Sequence, residues 1–153
     1  MANFNFVNAR HKEQIRRMKL LKEQGRCYLC QEGSKEENTL PRISWESEHF
    51  YLTPNDFPQA GSTAHTMIVP KKHRVHPTDL TAVERIAIFE ICEMVMEKFE
   101  IPGFSVYVRM GDMSYTGATL DHLHFQLIAG VPRTENHKVP EDVIYIPLGY
   151  KQK

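Results

Sequence analysis

The stretch His122-Leu123-His124-Phe125-Gln126-Leu127-Ile128 decides how this chain is read. In an extended chain it sends His122, His124 and Gln126 to one side and Leu123, Phe125 and Leu127 to the other. A polar row backed by an apolar row predicts a half-buried strand, here placed from Asp121 to Ile128. Just upstream, Gly111-Asp-Met-Ser-Tyr-Thr-Gly117-Ala-Thr119 supplies small residues and hydroxyls, so that backbone N–H groups can approach phosphate oxygens. A neutral imidazole attacks phosphorus through one ring nitrogen when the other is held as a donor, and the phosphoramidate formed splits one displacement into two. His124, the middle of the three polar positions, is the expected nucleophile. The competing reading is an edge strand that merely turns polar side chains to water.

Outward from this stretch, the pattern predicts an α+β domain. Residues of about 9–24 form an N-terminal helix, with Ile15, Met18 and the stem of Lys22 at helical spacing and Gly25 placed to stop it. Its basic face is read as a solvated surface rather than a nucleic-acid patch, since no aromatic platform accompanies it. Gly33 to Asn38 is loop-like. Arg42-Ile-Ser-Trp-Glu-Ser and His49-Phe-Tyr-Leu-Thr read as strands of a hairpin or meander, which Pro54-Asn55-Asp56-Phe57-Pro58 interrupts. His65-Thr-Met-Ile-Val-Pro70 is a further strand, closed by Pro70 and the basic turn Lys71-Lys72-His73. Thr78 or Asp79 is expected to cap a long helix carrying Leu80, Val83, Ala87, Ile91 and Met94 inward and running to about Phe99. Phe104 to Met110 is another strand segment. The expected fold is an antiparallel sheet of about five strands covered mainly on one face by the long helix, as a single domain spanning 1–153. Residues 131–153 form a tail that packs over the domain or onto a partner subunit.

Composition narrows the function classes. Nineteen Lys and Arg balance nineteen Asp and Glu, so no global field favours DNA, RNA or an anionic membrane, and an anionic ligand must be held locally. No apolar run approaches the length of a membrane span, and the N-terminus lacks the basic-then-apolar pattern of a secretory leader, so a cytosolic protein is expected.

Three cysteines do not make a secreted disulfide framework. Cys27 and Cys30 have the two-residue spacer that lets two thiolates bind one tetrahedral zinc. A thioredoxin-like redox pair is the alternative, but that fold wants a strand before the motif, where a helix is expected here. A metal site needs two more ligands from elsewhere. Cys92 is isolated and reads as a small core residue. His11, His49 and His137 read as surface or packing residues, and Lys71 and Lys72 as solvated turn charges, with contact to substrate phosphate as the alternative.

His-x-His-x-(His or Gln) near the end of a small α+β domain resembles the histidine-triad (HIT) superfamily, and the resemblance extends from Cys27 to Ala129. Residues 65–73, His-Thr-Met-Ile-Val-Pro-Lys-Lys-His, resemble that family's strand leading into a basic turn. The resemblance implies His124 as nucleophile and a structural zinc on Cys27, Cys30, His73 and His122, with His76 as the rival of His73. Gln126 stands where the namesake triad has its third histidine, a change shared with the galactose-1-phosphate uridylyltransferase and diadenosine tetraphosphate phosphorylase branches. Asn55-Asp56-Phe57 resembles the segment that holds ribose and base in those transferases, and Gly117-Ala118-Thr119 resembles their phosphate contact. The implied site therefore adds Asn55 or Asp56 for ribose, Gly117 and Thr119 for phosphate oxygens, Arg109 to neutralise charge, and His65 facing the nucleotide or capping its strand. A glutamine amide donates a hydrogen bond but does not titrate, so Gln126 orients rather than acts as an acid, and leaving groups that are already good are favoured. The expected function is a nucleotidyl transferase or hydrolase acting at an α-phosphate, on a nucleotide or dinucleoside polyphosphate, in a homodimer. The alternatives are a zinc-containing nucleotide-binding module without turnover and, opposed by the neutral charge, a nucleic-acid-associated protein.

Overall fold

Five strands, β1 (Trp45–Glu46), β2 (Phe50–Pro54), β3 (Ala64–Pro70), β4 (Ser105–Val108) and β5 (Phe125–Ala129), form one antiparallel sheet in the order β1-β2-β3-β5-β4. The helices are α1 (Lys12–Glu23), α2 (Ala82–Lys98) and the single turn α3 (Met113–Thr116). The computed structural model describes residues 2–30, 41–149 and 151–153, and the loop expected at 33–38 lies outside them. The α+β class and the five antiparallel strands agree with the sequence reading.

The two faces of the sheet carry different clusters because strand side chains alternate. On one face Phe50, Leu52, Ile68, Leu123 and Leu127 meet Leu80, Ile88, Ile91 and Val95. On the other, Tyr51, Met67 and Val69 meet Leu29, with Cys27, Tyr28 and Leu120 against them. The long helix thus covers one side, and the segment around the cysteine pair covers part of the other. That second face holds the functional groups.

Several boundaries differ from the sequence reading. The last strand begins at Phe125, not Asp121. Pairing ends at Ile68↔Phe125 on one side and Val108↔Phe125 on the other, and Leu123 N–H turns instead to the Arg74 carbonyl at 2.6 Å. Face alternation nonetheless persists, since Leu123 and Leu127 are in the core while His122 and His124 face away from it. The strand expected from Arg42 shortens to Trp45–Glu46.

Residues Pro77–Asp79 form a separate 3-10 turn, and α2 starts from Thr81, whose hydroxyl accepts from Glu84 N–H while the Glu84 carboxylate accepts from Thr81 N–H. This reciprocal cap outcompetes Thr78 and Asp79 as helix start. It also sets the phase: Glu84, Ile88, Ile91 and Val95 point inward, and Val83, expected in the core, is 67% exposed. Glu84 is tolerated inside because Arg74 reaches it at 3.4 Å.

Helix α1 is shorter than 9–24, and Leu21 rather than the stem of Lys22 is its buried anchor beside Met18. Gly25 ends it at φ 64°, in the left-handed region where glycine is preferred, and Arg26 N–H caps the Leu21 carbonyl at 2.9 Å. The Gly111–Thr119 turn contains α3, capped by the Asp112 carboxylate on Ser114 N–H and closed by Gly117 at φ 70°. No helix among the described residues is long and apolar enough to cross a membrane.

Candidate functional site

The polar side of the histidine stretch opens into a cleft of about 260 Å3. His124 lies in its wall with Gln126, Asn55, Asp56, Arg109, Gly117 and Thr119, so seven residues singled out from sequence gather around one space. His65 is not in the wall. It lies buried behind Gln126 on the same face of the sheet.

His124 donates from Nδ1 to the His122 carbonyl at 2.7 Å, which leaves the Nε2 lone pair as its free nitrogen. Burial holds its pKa down to about 4, with the Arg109 charge and the neighbouring histidines acting in the same direction. The imidazole is therefore neutral near pH 7, the form that can attack phosphorus.

Gln126 is oriented by a short chain of hydrogen bonds. Gln59 N–H donates to His65 Nδ1 at 2.9 Å, so His65 carries its proton on Nε2 and donates to Gln126 Oε1 at 2.6 Å. Asn55 Nδ2 donates to the same oxygen at 3.2 Å. Burial lowers the pKa of His65, chiefly by desolvation, and favours this neutral tautomer. With its oxygen taken twice, the Gln126 side chain offers its NH2 to the cleft. Asn55 Oδ1 accepts from Phe57 N–H at 2.9 Å, which fixes the turn that carries it.

Asp56 is already engaged. Arg17 Nη1 and the Tyr28 hydroxyl each lie 2.5 Å from its Oδ2, and Arg42 Nη2 is 3.3 Å from Oδ1. Burial pushes its pKa up, but Tyr28 and Arg17 outweigh it and hold the carboxylate below the usual range. Arg109 donates to the Thr116 and Pro147 carbonyls, each at 2.8 Å, and so ties the Gly117 turn to the tail while its charge faces the cleft.

Four ligand-type side chains converge next to His124. Cys27 Sγ, Cys30 Sγ and the Nδ1 atoms of His73 and His122 all lie within 4.8 Å of one another. The separations are 3.4 Å for Cys27 to His122, 3.3 Å for Cys30 to His73 and 3.5 Å for Cys30 to His122. A tetrahedral ion with metal–ligand bonds of about 2.0–2.3 Å requires ligand–ligand edges of roughly 3.3–3.8 Å, so this donor set fits a metal. His122 donates from Nε2 to the Pro70 carbonyl at 2.9 Å, and His73 Nε2 lies 3.7 Å from the Asp121 carboxylate; both arrangements aim Nδ1 at the centre. The Cys30 thiol is pushed down to about 4, first by the Cys27 thiol and then by the two histidines. His73, not His76, reaches the cysteines, because the Asp79 carboxylate accepts from His76 N–H at 2.9 Å and holds that residue in the 3-10 turn.

The sequence reading passed over the N-terminal contribution to the cleft. Arg10, Gln14, Arg17, Met18 and Leu21 all line it, as do Tyr28 and Phe57, and Pro147 and Gly149 of the tail. The helical spacing of residues 10, 14, 17, 18 and 21 was the available signal, but its mixture of charge and apolar side chains hides a single face. Arg17 lies 4.9 Å from the Tyr28 ring centre and 5.3 Å from that of Phe57, so the basic face is in part a wall rather than a solvated surface. His11 stacks on Phe57 with centroids 5.2 Å apart, a packing role.

A model of the HIT domain matches residues 35–133, and the chain belongs to the HIT family. Among solved structures, a Hit-like protein is 22% identical with a TM-score of 0.52, over 60% of this chain and 87% of that one. A HIT family hydrolase from Clostridium thermocellum is 23% identical, over 65% and 85% of the two chains, with a TM-score of 0.48. Plasmodium falciparum diadenosine triphosphate hydrolase in complex with cyclomarin A is 21% identical over 78% and 82%, at 0.49. No curated protein matches the sequence.

Proposed function

We propose that this HIT-family protein is an enzyme that cleaves or transfers a nucleotidyl group at the α-phosphate of a nucleoside or dinucleoside polyphosphate, through a covalent bond to His124. The observation that supports it most is the held tautomer: Nδ1 is committed to the His122 carbonyl, and the free Nε2 belongs to a residue of the cleft wall. Nε2 forms a bond to the α-phosphorus as the bond to the bridging oxygen breaks, and that oxygen leaves with the electron pair. Water or inorganic phosphate then adds to phosphorus, the P–N bond breaks, and the imidazole is restored. Gly117 N–H, Thr119 and Arg109 hold the phosphate oxygens and the charge that develops on them. Asn55 meets the ribose, and Asp56 shapes that wall through Arg17 and Tyr28. His65 serves the nucleotide indirectly, by holding Gln126. Cys27, Cys30, His73 and His122 would hold a structural zinc. When bound, it supplies no chemistry of its own but fixes His122, whose carbonyl orients the nucleophile. The chain acts as one domain in a reducing cytoplasm, where its thiolates persist.

Incubation with labelled dinucleoside polyphosphate, with and without inorganic phosphate, tests the activity and identifies the acceptor. Absence of turnover under both conditions contradicts it. Gln126→His tests the leaving-group argument. Restoring a titratable group there is expected to raise activity toward a nucleoside phosphoramidate, relative to a polyphosphate, by at least about tenfold. An unchanged ratio places Gln126 away from the departing group.

Two copies associate through α2 and the β4 edge. Val83, Ile86 and Phe89 of α2 are 67%, 62% and 75% exposed, and Val106 of β4, the edge strand among the described residues, is 45% exposed. An apolar helix face beside an open strand edge suits a second copy of the same surfaces. Phe89→Glu is expected to sediment as a monomer where the parent sediments as a dimer; equal masses for both contradict this assembly.

A further inference from the structure

The HIT domain match begins at residue 35, yet the segment before it reaches into the cleft. Asn8 Nδ2 donates to the Ala118 carbonyl at 2.7 Å and to the Met113 carbonyl at 2.9 Å, and Gln14 Nε2 donates to Thr119 Oγ1 at 3.4 Å. The segment is thereby fastened to the phosphate turn. Arg10 lies between these two anchors, with its backbone N–H on Gln14 Oε1 at 3.1 Å. Its guanidinium donates to Gln59 Oε1 at 2.6 Å and to the carbonyl of Phe57, a residue of the cleft wall, at 3.4 Å.

Three arginines line the cleft, and they differ in what they face. Arg17 is neutralised by Asp56. Arg109 is held by backbone carbonyls beside the phosphate turn. Arg10 also has neutral acceptors, so no carboxylate offsets its charge, and it is exposed while lining the cleft. Its acceptor Gln59 stands beside the buried His65, to which the Gln59 backbone N–H donates, but the Arg10 contact is to the Gln59 side chain and leaves that backbone bond in place. The Arg10 charge is felt at His65, where it adds to burial in disfavouring the imidazolium.

We propose that Arg10 is a substrate-binding residue that takes the departing phosphate, so that the preferred leaving group is a phosphate chain rather than an alcohol or amine. The inference rests on the nucleotidyl-transfer reading above. As His124 Nε2 bonds to the α-phosphorus, the bridging oxygen keeps the electron pair and becomes a terminal oxygen of the departing phosphate. Gln126 has no proton to give it. The leaving group therefore departs with its full charge, and an exposed guanidinium lining the cleft matches two of its oxygens at once. The negative group that accumulates on bond cleavage meets a cation there.

The test compares Arg10→Met and Arg10→Lys in the full chain on two probes: diadenosine tetraphosphate, and adenosine 5′-(p-nitrophenyl phosphate), whose leaving group carries no phosphate. Arg10→Met is expected to lower kcat/KM on the tetraphosphate by about 10- to 100-fold, the loss of one charge-assisted contact, while changing the nitrophenyl ester less than about twofold. Arg10→Lys keeps the charge without the fork and falls between. Equal effects on both probes, or none on either, overturn the assignment. If the parent protein turns over neither probe, the activity reading itself fails, and calorimetric titration with ADP against AMP decides the site alone. A preference for ADP that Arg10→Met abolishes supports it, and an unchanged ADP to AMP ratio overturns it.

Discussion

Replacing His124 by alanine is expected to abolish turnover of a dinucleoside polyphosphate, by about 10^4-fold or more in kcat, while nucleotide affinity stays within a few-fold of the parent. The separation follows from what His124 touches. Its hydrogen bond goes to the neighbouring His122 carbonyl, and the groups assigned to ribose and phosphate, Asn55, Gly117, Thr119 and Arg109, do not depend on it. Removing the imidazole takes away the only atom assigned to form a bond to phosphorus and leaves the cleft walls standing. Parallel titration and steady-state measurements check this. A variant that binds as before and retains a tenth of the activity points instead to direct attack by water.

The proposed zinc carries the largest expected effect on stability. Cys27, Cys30, His73 and His122 bring together a pair of adjacent thiols and two histidines aimed by the Pro70 carbonyl and Asp121. Without an ion, only thiol–imidazole hydrogen bonds at 3.3–3.5 Å join these four side chains, in place of four bonds to one cation. Loss of a structural metal belongs to the changes that cost more than about 4 kcal/mol. At about 3 °C per kcal/mol for a chain of this size, Cys30→Ser or exhaustive chelation should lower Tm by more than about 10 °C. The knuckle also forms part of the cleft wall. Tyr28 and Leu29, between the two cysteines, line the cleft, and Leu29 is pinned by the Tyr51 hydroxyl on its carbonyl at 2.6 Å. Nucleotide affinity should therefore fall with the metal. Metal analysis giving one zinc per chain, and thermal melts of parent and Cys30→Ser, measure both effects; an unshifted Tm contradicts a structural role.

Alternation carried much of this in the sequence. The 122–127 pattern distinguishes a core row from a polar row even though His122 and His124 precede the strand ladder, because alternation needs only extended backbone. The Cys-x-x-Cys spacing was likewise local enough to read, whereas His73 rested on the family resemblance with His76 as its rival. Long-range choices were not. The phase of α2 depends on Glu84 being drawn inward by Thr81 and Arg74, a charged residue that an apolar-periodicity count excludes. The partners of the Asp56 carboxylate, Arg17 and Tyr28, are distant in sequence and unreadable from its local pattern. Arg10 is exposed, but the contact of its guanidinium with Gln59, 49 positions along the chain, is equally unreadable locally. Each of these is a polar partnership across the fold, which hydrophobic pattern does not encode.

The most direct test of the central claim is a rapid acid-free quench of the parent protein mixed with α-phosphate-labelled dinucleoside polyphosphate, followed by peptide mapping of bound label. A nucleotidyl group on His124, stable to base, released by acid and absent from His124→Ala, is the expected result. Label on another residue, or turnover with no trapped adduct under single-turnover conditions, contradicts the account.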